Sequence, residues 1–109
     1  MQTITHRDAL ARFGGAISDP NRAQILLLLR ESHSYPTQLA AAMGVSRQIV
    51  SNHLACLRGC GLVIAEPEGR RTRYELADQL IAKALDDLVG LVLAVDPACC
   101  SATATDGCC

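Results

Sequence analysis

Residues 36–61 decide the fold: Pro36-Thr37-Gln38-Leu39-Ala40-Ala41-Ala42-Met43-Gly44-Val45-Ser46-Arg47-Gln48-Ile49-Val50-Ser51-Asn52-His53-Leu54-Ala55-Cys56-Leu57-Arg58-Gly59-Cys60-Gly61. The run His33-Ser34-Tyr35-Pro36 interrupts what comes before, and Thr37 to Met43 reads as a short helix. Gly44 ends it. Ser46 is a good N-cap for a second helix reaching about Cys60, and Gly61 supplies its C-terminal stop. Helix, glycine turn and helix together form the pattern of a helix-turn-helix.

On a wheel at about 100° per residue, Ile49, Val50, His53, Leu54 and Leu57 share one arc, expected to face the core. Arg47, Gln48, Ser51, Asn52 and Ala55 share the opposite arc. Gln and Asn can bond adenine in two places and Arg can do so to guanine, while Ala55 permits close approach. Alone, such an arc is ordinary solvated surface. His53, on the inner edge, is expected to be a hydrogen-bonded structural histidine.

Downstream, Leu62-Val63-Ile64-Ala65 is β-prone, Glu66 to Arg71 reads as a turn, and Thr72 to Leu76 alternates as a half-exposed strand does. This is a two-stranded wing with a basic tip. Arg70, Arg71 and Arg73 are its expected phosphate or minor-groove contacts. The net charge of −1 conceals a segregation: residues 46–73 carry five Arg against two Glu, and residues 74–109 one Lys against six acids. A local basic excess beside a polar helix arc points to double-stranded DNA.

Upstream, residues 6–17 read as a helix with Ala9, Leu10, Phe13 and Ile17 apolar. Ser18-Asp19-Pro20 opens another, apolar nearly all round through Ile25 to Leu29 and so expected to be buried. Residues 78–95 form a last amphipathic helix with Leu80, Ile81, Ala84, Leu85, Leu88, Leu91, Val92 and Val95 on one side. The expected architecture is mainly α with a small β-wing: a winged helix-turn-helix of about five helices and one two-stranded hairpin. It occupies residues 1–95, with a flexible cysteine-rich tail over 96–109. Half of the 109 residues are apolar but only three are aromatic and none is Trp. The core is therefore aliphatic, and small domains of this kind often enlarge it by forming homodimers.

Met1 to Asp8 has no apolar secretory core, and Leu80 to Val95 contains Lys83, Asp86 and Asp87 and is too short to span a bilayer. These features point to a cytoplasmic protein without a membrane partner. No CxxC motif, nucleophile–base set or glycine-rich phosphate loop suggests an enzyme.

Six cysteines in a reducing compartment argue for metal or redox chemistry rather than a disulfide scaffold. Cys56 and Cys60, four apart on one helix, have Cβ atoms roughly 5–6 Å apart, close enough to share an ion. Two small buried hydrophobes are the lesser alternative, since four more cysteines stand in the same short chain. Soft ions want three or four sulfurs. Cys99 and Cys100 in the tail can complete such a set, from the same or another subunit; Cys108 and Cys109 are less needed.

Taken in order, Ser18-Asp19-Pro20-Asn21-Arg22, Gln38-Leu39-Ala40, Val50-Ser51-Asn52-His53-Leu54, Gly61-Leu62-Val63 and Glu68-Gly69-Arg70 with Tyr74 resemble the ArsR/SmtB family of metal-responsive repressors over residues 6–95. The run Val50 to Val63, with Cys56 and Cys60, and the run Val92-Leu93-Ala94-Val95-Asp96 are similar to cadmium- and lead-sensing members. The resemblance implies a homodimer built from the first and last helices. It implies an operator-bound metal-free state released by Cd(II) or Pb(II), held by the helix pair and one tail cysteine of the other subunit. Here Cys99 and Cys100 stand where one cysteine is expected, and Cys108-Cys109 is an addition. Two other family sites are missing: Ser34-Tyr35-Pro36 replaces a two-cysteine motif, and residues 78–95 lack histidine. As(III) or Zn(II) binding, or thiol oxidation through the tail, are alternative signals; a metal-buffering protein is the distant one.

Overall fold

A computed structural model describes residues 4–91. Their order is α1 (His6–Ala16), α2 (Pro20–Glu31), α3 (Pro36–Met43), α4 (Arg47–Gly59), β1 (Val63–Glu68), β2 (Arg71–Leu76) and α5 (Gln79–Val89). This is the expected winged helix-turn-helix with five helices and one hairpin. The domain boundary at 95/96 and the tail lie outside the described residues.

Local chemistry fixes the boundaries. Asp19 accepts the N–H of Asn21 at 2.8 Å and of Arg22 at 3.1 Å, with Pro20 just inside α2. Ser46 Oγ accepts the Ile49 N–H at 3.1 Å and opens α4. Between α3 and α4, Gly44 turns the chain at φ +69°, a left-handed conformation that glycine adopts without a Cβ penalty. Cys60 is the C-cap of α4 rather than its last residue.

The core is one aliphatic cluster. Ile25 and Leu26 of α2, Leu39 of α3, Val50, Leu54 and Leu57 of α4, and Val63 of β1 are each at most 2% exposed. Three expectations about burial need correction. Ile49, placed in the core arc, is 41% exposed, because the buried stripe of α4 is the narrower set Val50, Leu54 and Leu57. On α2 only Ile25, Leu26 and Leu29 are fully buried, with Leu27 and Leu28 half-buried. α5 ends at Val89 rather than at 95, and on it only Leu85 is buried, whereas Leu80 is 72% exposed and Leu88, like Leu91 beyond the helix, is also exposed.

The wing is longer than the composition suggests. Glu66 to Arg71 is not a turn: β1 continues through Pro67 to Glu68, and only Gly69-Arg70 form the loop. The closing pair is Glu68↔Arg71, and Gly69 takes φ +60° with Arg70 at negative φ, as a two-residue loop with glycine first requires. Pro67 is tolerated opposite Thr72 because that pair faces its backbone N–H groups away from the partner strand. On the other edge, Ser34 and Tyr74 exchange two backbone hydrogen bonds, of 2.9 and 2.8 Å, which tie the wing to the segment before α3.

Candidate functional site

The residues of α4 fall on three faces. Opposite the buried stripe, Gln48 and Asn52 are exposed, and Gln48 Nε2 donates to Asn52 Oδ1 at 2.9 Å. Ala55 and Gly59 continue this face one turn and two turns on, without side chains that would hold a partner off. Arg47 and Ser51, expected on the same arc, instead lie on one flank and line a recess shared with α3 and the wing. Cys56 and Cys60 lie on the other flank, about 180° around the helix from Arg47 and Ser51.

The wing arginines do not act alike. Arg70, at the turn, and Arg71 are exposed, and Arg71 Cζ sits 3.5 Å from the centroid of the Tyr35 ring. Arg73, expected to contact DNA with them, is half-buried and pairs with Glu68 Oε2 at 2.9 Å across the hairpin. Its Nε is buried without a hydrogen-bond partner. Arg73 therefore stiffens the wing from within. Glu68 also accepts from the Tyr35 hydroxyl, 2.7 Å from Oε1. That bond holds the Glu68 carboxyl below its ordinary range and pushes the Tyr35 phenol up. Sequence reasoning missed Tyr35 and Glu68; the pairing of Glu68 with Arg71 depends on a hairpin register that the turn residues left open.

Cys56 is exposed, Cys60 is half-buried against the core cluster, and both are free thiols. Two thiols fall short of the three or four sulfurs that a soft ion takes. Among the described residues no set of three His, Cys, Asp or Glu side chains is gathered for a metal. Cys99, Cys100, Cys108 and Cys109 lie outside the described residues. His53 is half-buried on the thiol flank, with Nε2 3.8 Å from Asp19 Oδ1, too far for the expected hydrogen bond.

Exposed apolar side chains cluster on α1 and α5. Leu10, Phe13, Leu80, Ile81, Ala84 and Leu88 line a groove of about 470 Å³. Among the described residues no helix is long and apolar enough to cross a membrane.

Residues 19–65 match the family model described as "Bacterial regulatory protein, arsR family". The chain is 59% identical over 88 residues to the HTH-type transcriptional regulator CmtR of Mycobacterium tuberculosis, covering 81% of this chain and 75% of that one. It is 36% identical over 109 aligned positions to a probable mercury resistance operon repressor of Streptomyces lividans, covering 94% and 84%. The NMR structure of the cadmium metal-sensor CmtR from M. tuberculosis matches with a TM-score of 0.66 over 80% of this chain and 90% of that one. The homodimeric winged helix-turn-helix domain of Mb0332 from Mycobacterium bovis matches at 0.71, with 31% identity over 82% and 87%. Identity this high across four-fifths of the chain, on the same fold, leaves no ambiguity of class: the chain belongs to the ArsR family of transcriptional regulators.

Proposed function

We propose that this chain is a metal-responsive repressor whose homodimer binds operator DNA and leaves it when Cys56 and Cys60 capture a soft ion, Cd(II) or Pb(II). The observation that carries the reading is the placement of two free thiols, Cys56 in the last turn of α4 and Cys60 at its C-cap, on the helix that presents Gln48 and Asn52. The similarity to CmtR, described as a cadmium metal-sensor, supports the choice of ion.

Gln48 and Asn52 present amides to base edges in the major groove, and Arg47, Arg70 and Arg71 neutralise phosphates on one side of them. Residues 1–95 then form the DNA-binding and dimerisation domain. The α1–α5 groove is the seat of the second protomer, which places two α4 helices for a palindromic site. Residues 96–109 supply Cys99 or Cys100 to the Cys56–Cys60 pair. When bound, the ion supplies a soft Lewis acid that binds three or four thiolates.

Because Arg47 and the thiols occupy opposite flanks, a rotation of α4 that turns Cys56 toward its DNA-facing side to meet a tail thiol would turn Arg47 away from its phosphate. The two ligands of the protein thereby oppose each other, with a coupling typically of about 1–3 kcal/mol. Such a repressor acts in the cytoplasm, where the thiols stay reduced.

The test is a titration of reduced, metal-free protein with Cd(II), Pb(II), Hg(II), Zn(II) and arsenite, following thiolate-to-metal absorption together with release of an operator duplex. Saturation of three or four thiolates by Cd(II) or Pb(II) with release supports the reading. Release by arsenite alone shifts the site to the tail, and release by none removes the metal signal.

A further inference from the structure

A recess of about 300 Å³ opens between the start of α3, the first two turns of α4 and the wing tip. Arg47, Arg70 and Arg71 all line it, and none of its lining residues is acidic. Among the described residues none of these three arginines has a carboxylate partner. Glu68, the nearest candidate by register, is already shared between Tyr35 and Arg73. Three guanidinium groups around one small recess without a carboxylate make a local excess of positive charge that favours an anion.

The recess is also organised to hold Arg71 still. Glu68 fixes the Tyr35 hydroxyl, and the Tyr35 ring carries the Arg71 guanidinium at 3.5 Å. Thr37 and Ser51 add hydroxyl donors to the wall. Among the five helices only α3 has no side-chain cap on its first turn, and that turn borders the recess. The volume accommodates one phosphate group and a few waters, each taking about 30 Å³. The neighbouring face of α4 carries Gln48 and Asn52, so an anion here stands where the strand flanking a major-groove helix runs.

We propose that the recess seats one DNA backbone phosphate per protomer, and that Tyr35 is the positioning residue that aims Arg71 at it. This rests on the DNA-binding reading above and adds to it a specific consequence: an uncharged substitution in the wing anchor removes a phosphate contact.

The experiment measures affinity of the full-length dimer for a mixed-sequence duplex across a salt series. Each neutralised phosphate contributes about 0.9 to the slope of log K against log salt. Arg71→Gln is expected to lower that slope by about one per docked protomer. Tyr35→Leu should lower it almost as much although no charge is lost, Tyr35→Phe should fall between Tyr35→Leu and wild type because the ring remains while its Glu68 anchor is lost, and Tyr35→Leu with Arg71→Gln should fall no further than either alone. A wild-type slope in Arg71→Gln, whose exposed side chain is not needed for folding, overturns the seat, as does a wild-type slope in a folded Tyr35→Leu. Inorganic phosphate provides the second arm: if millimolar phosphate shifts the Arg71 side-chain N–H resonance while the bound duplex leaves it unmoved, the recess is a free-anion site and the DNA assignment falls. A wild-type protein that binds no duplex at low salt defeats the DNA-binding reading itself, a result distinct from any of these.

Discussion

His53 Nε2 lies 3.8 Å from Asp19 Oδ1, joining the thiol-bearing flank of α4 to the N-cap of α2. The same Asp19 oxygen accepts the Asn21 and Arg22 N–H groups. Arg22 in turn donates through Nε to the Ala16 carbonyl at 2.8 Å and through Nη2 to the Gly15 carbonyl at 3.1 Å. Asp19 and Arg22 thus connect α4, the start of α2 and the end of α1. Burial pushes the Asp19 carboxyl up, but the Arg22 and Asn21 N–H donors and the charges of His53 and Arg22 outweigh it, and the group is held below its ordinary range.

A depressed carboxyl stabilises the fold above its unfolded value of about 3.9 and loses that contribution as pH falls through the lower folded value. Asp19→Ala is expected to cost about 1 kcal/mol at pH 7, as loss of a good N-cap does. In urea unfolding at fixed protein concentration, the gap between variant and wild type should narrow as the pH is lowered below 4. A gap of equal size at pH 3 and pH 7 would show that the charge of Asp19 is not what caps α2.

Leu54→Ala is expected to cost about 3 kcal/mol, because the side chain is fully buried between helices and leaves a cavity. Ile49→Ala, five residues earlier and 41% exposed, should change stability by less than about 1 kcal/mol. Thermal unfolding of the two variants separates the narrow buried stripe of α4 from the broader one that the wheel suggests.

That contrast shows where the sequence is readable. Ser46, Gly44 and Asp19-Pro20 announce the helix boundaries because capping is local chemistry. The buried role of Val50, Leu54 and Leu57 follows from spacing alone. Ile49 sits at the border of the arc, where the depth of the neighbouring helices decides burial, and a wheel carries no depth. Arg73 looked like a free cation because its partner Glu68 is near in space only once β1 extends past Pro67. Tyr35 was invisible as a wing anchor for the same reason: it and Glu68 are 33 residues apart in the chain.

Leu80→Glu is expected to leave the protomer folded and to weaken the dimer. Leu80 is 72% exposed and outside the core cluster of the described residues, as a side chain that meets a second protomer would be. Sedimentation equilibrium should show wild type as a dimer and the variant shifted toward monomer. A wild-type mass for the variant would remove the α1–α5 groove as the dimer seat.

Cys56→Ser with Cys60→Ser is expected to bind duplex as wild type does and to remain bound on addition of Cd(II). Fluorescence anisotropy of a labelled operator measures both properties in one titration. Cadmium-driven release from the double variant would place the sensing thiols elsewhere.

Pro67 gives the wing a property that concerns neighbours rather than DNA. Its position in β1 is one where any other residue would offer an outward N–H, so the outer border of the hairpin lacks a donor halfway along its distal half. The opposite border is already occupied by Ser34. Copies of the chain that meet at this hairpin therefore find no continuous strand to extend, and it remains a solitary finger instead of a nucleus for intermolecular sheet.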